Sequence, residues 1–179
     1  MPNGDEVIDF ANAAMADHEL IIATQDWHPR DHGSFAANHA GREPGEIIEL
    51  GGLQQILWPV HCVQDSSGAE FAASLQTDRI DRIFQKGVDA EIDSYSGFFD
   101  NGKRRSTGLA DYLQEQGAEE LTVLGLATDY CVKFTALDGC ELGFKTRLLV
   151  AGCRGVDLHP GDSERALQEM QAAGVQLID

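Results

Sequence analysis

Asp26-Trp27-His28 places a carboxylate and an imidazole two residues apart, on one side of the chain wherever the backbone is extended. His32 and His61 are near enough along the sequence to fold toward them, and four of the six histidines fall between positions 28 and 61. Imidazole nitrogens joined by one carboxylate make a donor set for Zn, Fe or Mn. The plainer reading of the same residues is a loop whose histidines cap turns. Farther along, Cys131 follows the apolar run Leu121–Leu126, where a helical pattern starts. At such a position the positive end of a helix dipole and unpaired amides lower a thiol's pKa, as a nucleophile requires. Cys62, Cys140 and Cys153 read instead as small buried hydrophobes. Lys86, in Phe84-Gln85-Lys86-Gly87, ends a strand pattern; it is either an ordinary solvated lysine or a cation that stabilises a thiolate and developing negative charge. Trp27, Phe35, Trp58 and Tyr95 either line a slot for a flat ring or pack beneath their own loops.

These residues need elements to position them. Val7, Ile8, Ala11, Ala14 and Met15 recur at helical spacing behind Asn3, with Glu6 three residues later as in a capping box. Leu20–Thr24 reads as a buried strand, and a long loop from about 25 to 67 follows, longer than structureless connections usually run. Helices are then expected near 69–75, 107–116, 130–142 and 162–173, and strands near 82–85, 121–126, 146–150 and 175–178. This alternation predicts an α/β fold with three layers, a parallel sheet covered by helices on both faces. In such sheets ligands bind beyond the carboxyl ends of the strands, where Asp26, Lys86, Thr128, Asp129 and Cys131 all fall.

The length of 179 residues fits one domain, 1–179, with no linker or internal repeat. A formal net charge of -17 repels phosphate backbones and anionic lipid surfaces, so nucleic acid and membrane are not expected partners. Four scattered cysteines, no signal-like start and no apolar run long enough for a membrane span point to a reducing, cytoplasmic setting. Nothing in the sequence decides between a monomer and a homo-oligomer.

The segments QDWHPRDHGSF (25–35), WPVHCVQ (58–64), FQKG (84–87), DSYSGFFDNG (93–102), GLATDYCVKFTALD (125–138) and GCRGV (152–156) together resemble the nicotinamidases within the isochorismatase-like cysteine hydrolases. The resemblance implies that Asp26, His28 and His61 hold one divalent metal, with His32 a further ligand or a group behind the ligands. It makes Cys131 the nucleophile, Lys86 its partner and the backbone amides of Ala127 and Cys131 the oxyanion hole, with a cis Ala127–Thr128 bond. Trp58 and Tyr95 border the ring pocket. The implied reaction converts nicotinamide, and by the same chemistry pyrazinamide, to the acid and ammonia in NAD salvage. The family also carries a first, central strand of the type V-D-x-Q-x-D-F whose Asp exchanges a proton with the cysteine. This sequence enters after it, which predicts a truncated sheet. A metal- and nicotinamide-binding form without turnover, or another carbon–nitrogen hydrolase acting on a ureido or carbamoyl group, are the competing readings.

Overall fold

The structure, a computed structural model, describes residues 1–179. Strand β1 (Ile22–Asp26) pairs in parallel with β4 (Arg82–Lys86), and β5 (Glu120–Leu126), β6 (Lys145–Arg154) and β7 (Gln176–Ile178) form a second parallel sheet. Helices α1 (Val7–Met15), α2 (Leu109–Glu115), α3 (Lys133–Glu141) and α4 (Asp162–Ala172) pack around these strands, so the expected parallel α/β arrangement is present. Its core is in two parts. Val132 and Ala136, at the start of α3 and within it, meet Leu148 of β6 and Ala166 and Met170 of α4, while Phe84 of β4 packs with Phe98, Leu109, Leu113 and Phe144.

The two parallel sheets do not pair with each other. β1 is bonded only to β4, and β5 only to β6, so each presents one edge unpaired by any strand. Between them lies an apolar slot of about 610 Å³, lined among others by Val7 and Ala11 of α1, Ile22 of β1, Val123 of β5, and Cys131. The slot opens onto Cys131.

Several local expectations are corrected. The capping box at Asn3 and Glu6 does not form. A short 3₁₀ turn, Gly4–Glu6, precedes α1, Asn3 makes no side-chain cap, and the Glu6 carboxylate instead takes the Arg154 guanidinium at 2.7 Å, a stronger charge-assisted partner. The first strand lies two residues later than expected and includes Asp26. No helix forms at 69–75. Asn12 of α1 takes its place in the hydrogen bonding, donating to the Ser74 carbonyl and accepting from the Gln76 N–H, both at 2.9 Å, while Phe71, Ala72 and Leu75 turn their apolar groups into the slot.

The long loop also contains a hairpin that the sequence reading omits, β2 (Ile47–Leu50) with β3 (Leu53–Ile56). Its two-residue turn is Gly51-Gly52, both left-handed, and a Cβ on Gly51 would stand 2.6 Å from the Glu91 carbonyl oxygen. No helix is long and apolar enough to cross a membrane.

Unpaired edges facing an apolar slot leave backbone groups and hydrocarbon that a strand would satisfy. A chain extended upstream by a V-D-x-Q-x-D-F segment is expected to melt at a higher temperature and to bind less of a hydrophobic dye than residues 1–179 alone. Identical melting and dye binding for the two lengths would show that the slot does not accept the strand.

Candidate active site

The site is built on the pairing of β1 with β4, whose register sets Asp26 directly opposite Lys86. The Lys86 ammonium, almost wholly buried, approaches Asp26 Oδ1 to 2.5 Å and donates to the Ser94 carbonyl at 2.7 Å and to Cys131 Sγ at 3.4 Å. Burial disfavours its charge, but Asp26 and Cys131 outweigh that and hold its pKa above the usual lysine value. Burial likewise opposes the charge of Asp26, and Lys86 overcomes it, so the carboxyl is held below its ordinary range.

Cys131 is not in the first turn of α3. It sits one turn earlier, in a π-helical segment, Thr128–Val132, that joins β5 to the helix. The N–H groups on either side of it, Tyr130 at 3.1 Å and Val132 at 3.0 Å, both donate to the Ala127 carbonyl, and that of Cys131 does not join them. The cis bond lies between Leu126 and Ala127, one residue before the expected Ala127–Thr128 position. Asp129, which the sequence places among the residues at the strand ends, points away. Its carboxylate accepts from Val156 N–H at 2.9 Å and Asp157 N–H at 2.8 Å, pinning the nucleophile's turn to the end of β6. The thiol pKa is pushed up to about 11, chiefly by burial, with Lys86 lowering it and Asp26 and Asp93 raising it. The expected depressed thiol is thus corrected: although the residue is only half-buried, desolvation of its sulfur outweighs the helix terminus.

The histidines converge as well. His28 forms a bridge with Val63, its N–H reaching the Cys62 carbonyl at 3.0 Å, and this draws His61 alongside with ring centroids 4.9 Å apart. His28 Nδ1 bonds the Gly87 carbonyl and His61 Nδ1 the Pro59 carbonyl, each at 2.8 Å. A carbonyl can only accept, so both protons are on Nδ1 and both Nε2 atoms keep a free lone pair, the tautomer of a metal ligand. Asp26 Oδ1 is buried and ion-paired with Lys86 at 2.5 Å, although outside hydrogen-bond geometry. Ligand atoms of Asp26, His28 and His61 lie within 4.8 Å of one another. Two imidazoles and one carboxylate converging on one point fit a divalent ion.

His32 is different. Its Nδ1 lies 2.7 Å from the Ser34 hydroxyl and 3.2 Å from the Ser34 N–H, and its buried Nε2 has no partner in the chain. Burial pushes its pKa down to about 4. Asp93 is a further buried carboxylate that sequence reasoning missed; with His28 and His32 it forms a second convergent group, and it accepts from Gln55 Nε2 at 3.2 Å. Nothing in the spacing of DSYSGFF marks it out from a loop aspartate.

Trp58 donates from Nε1 to the Tyr95 hydroxyl at 3.1 Å. Two other rings join them, Tyr130 at 4.7 Å from Trp58 and Phe134 stacked 5.5 Å from Tyr95. Of the other aromatic candidates, Phe35 is fully buried under the three histidine rings, and Trp27 makes no aromatic contact with this group. Tyr130, beside the nucleophile, was not among the sequence candidates.

Residues 6–179 match the model of the Isochorismatase domain. The chain belongs to that family. It is 49% identical to the nicotinamidase of Escherichia coli over 99% of this chain and 84% of that protein. It superposes on a solved Acinetobacter baumanii nicotinamidase with a TM-score of 0.95 and 45% identity, covering 99% of this chain and 85% of that one. A Pyrococcus horikoshii pyrazinamidase solved in complex with zinc matches with a TM-score of 0.78 and 35% identity, covering 100% of this chain and 88% of the other.

Because the thiolate is the reactive form, alkylation of Cys131 is expected to quicken roughly tenfold per pH unit from about pH 7 to about pH 10. Mass-spectrometric mapping of iodoacetamide labelling measures this. A rate that levels off near neutral pH would mean that the thiol ionises far below the value its burial sets.

Proposed function

We propose that this chain is a metal-dependent cysteine amidohydrolase that converts nicotinamide to nicotinate and ammonia, accepts pyrazinamide, and serves NAD salvage in the cytoplasm. That it is a hydrolase of amide bonds rests on its relatives, which match it at up to 49% identity over nearly its whole length. The narrower reading rests on one observation, the meeting of two groups at Lys86. Cys131 is on one side of this residue and the Asp26, His28 and His61 donor set on the other.

A flat ring among Trp58, Tyr95 and Tyr130 places its carboxamide toward the sulfur. Cys131 Sγ attacks the amide carbon, and the oxygen gains negative charge that the Ala127 and Cys131 amides receive. Lys86, held charged, adds a cation beside the sulfur. The C–N bond then breaks, ammonia leaves with an added proton, and water cleaves the thioester to the acid and the free thiol. Asp26, His28 and His61 would hold a divalent ion, which would supply a Lewis acid to orient the ring. His32, buried beside this set with an unpartnered Nε2, is a further ligand or a group behind the ligands.

The thiol's proton needs an acceptor. Lys86 is already protonated and Asp26 is paired to it, so neither takes it. The slot that Cys131 lines is where a strand bearing a carboxylate would bring one. Proton transfer of this kind contributes about 10²–10⁴-fold in rate.

Ammonia release from nicotinamide, followed with the chain alone and with the strand-bearing chain, tests the reading. The extended form is expected to turn over faster by about that factor, and Cys131→Ala to abolish turnover in both. Release that survives Cys131→Ala removes the nucleophile from the scheme. Binding of nicotinamide with no release by either length favours a binding form over an enzyme. Elemental analysis should also find one divalent metal per chain, lost in His61→Ala; equal metal in both proteins would refute the ligand set.

A further inference from the structure

Lys86 is the last residue of β4, and the next residue carries no side chain. Gly87 turns the backbone into the left-handed region, with φ of +64°. In that conformation its carbonyl oxygen points at the His28 ring and accepts from Nδ1 at 2.8 Å. The backbone lies so close to the imidazole that a Cβ built on Gly87 would stand 2.3 Å from Cε1 and 2.5 Å from Nδ1 of His28. The far end of a flexible side chain could move away from such a contact, but this ring cannot. It is 2% exposed, and the rings of His32, His61 and Phe35 surround it with centroids 4.5, 4.9 and 5.5 Å away.

We infer that Gly87 is the positioning residue for His28, fixing by its carbonyl which nitrogen carries the proton and by its missing Cβ the plane in which the ring lies. Both properties are needed to present Nε2 toward Asp26 and His61. The carbonyl alone would select the tautomer, and the bare Cα alone would admit the ring without orienting it. One peptide unit therefore joins the two functions of the site, because the residue before it supplies the ammonium beside Cys131 and the residue itself aims a metal ligand. The inference rests on the reading that Asp26, His28 and His61 hold a metal.

Zinc affinity of the metal-free chain, measured by competition with a coloured chelator, tests it, with cobalt absorption as a second readout of the ligand geometry. Three altered proteins separate the causes. Gly87→Ala adds the clash and the strain of a left-handed alanine. Gly41→Ala adds the same strain, at φ of +75°, where no atom lies within 4 Å of the new Cβ. An ester in place of the Gly87–Val88 amide weakens the carbonyl as an acceptor and adds no atom, and the Val88 N–H it removes makes no hydrogen bond. Gly41→Ala is expected to bind zinc as the unaltered chain does. The ester should bind roughly 10-fold more weakly and Gly87→Ala about 100-fold more weakly, each with an altered cobalt spectrum, in line with the usual effect of losing the partner behind a ligand. Should Gly87→Ala fail to fold, the ester alone decides. Zinc affinity and cobalt spectrum unchanged in the ester, or in a folded Gly87→Ala, would overturn the inference while leaving the metal reading intact. An unaltered chain that binds no zinc would instead sink the metal reading, and this inference with it.

Discussion

Lys86 carries a charge that water scarcely reaches, set between the Asp26 carboxylate at 2.5 Å and the Cys131 sulfur at 3.4 Å. Removing one partner of such a buried pair leaves the other charge uncompensated, a loss of about 3–5 kcal/mol, comparable with much of a domain's whole stability. The contact is therefore a constraint on the fold as well as a feature of the site. It fixes the β1–β4 register, since a slip of one residue would turn either Asp26 or Lys86 to the opposite face. It also ties the segment at 94 to the strands, through the Ser94 carbonyl that takes one of the ammonium's hydrogens.

The segment between β1 and β4 carries half of the site and has little regular structure, yet it is not loose. Its backbone finds partners at each step toward the metal donors: His28 bridges to Val63, Phe35 to Trp58, and the β2–β3 hairpin closes between them. Phe35 and Leu57 are completely buried beneath it and give the loop a small core of its own. An irregular segment can hold side chains to the tolerance that ligands need only when its amides are satisfied and its underside is packed. Both conditions are met here.

How far this could be read beforehand follows from which features are local. The parallel α/β alternation, the strand-end positions of Lys86 and Cys131, and the Asp-x-His pair are short-range patterns and were legible. So, in principle, was the hairpin, because Gly51-Gly52 between Ile47–Leu50 and Leu53–Ile56 is a local turn signal. The apolar spacing at 69–75 is real, but no helix follows from it, because its carbonyls meet distant side chains: Ser74 accepts from Asn12, 62 residues away, and Ala69 from Gln25. Asp93 and Tyr130 could not be found from spacing at all, because their significance lies in what folds against them. The thiol's raised pKa has the same origin. The sequence shows a helix start beside Cys131 but not the depth at which the sulfur lies.

The split sheet and the reluctant thiol are one problem. Apolar side chains line the slot between β1 and β5, and Cys131 stands at its edge, so the surroundings that leave two strand edges unpaired also keep the sulfur protonated. Burial is the largest influence keeping the thiol protonated; Lys86 favours the thiolate, while Asp26 and Asp93 oppose it. A strand entering the slot would pair both edges, and a carboxylate it carried beside the sulfur would give the proton a destination without first creating a free thiolate. Folding and proton transfer would then be completed by the same segment.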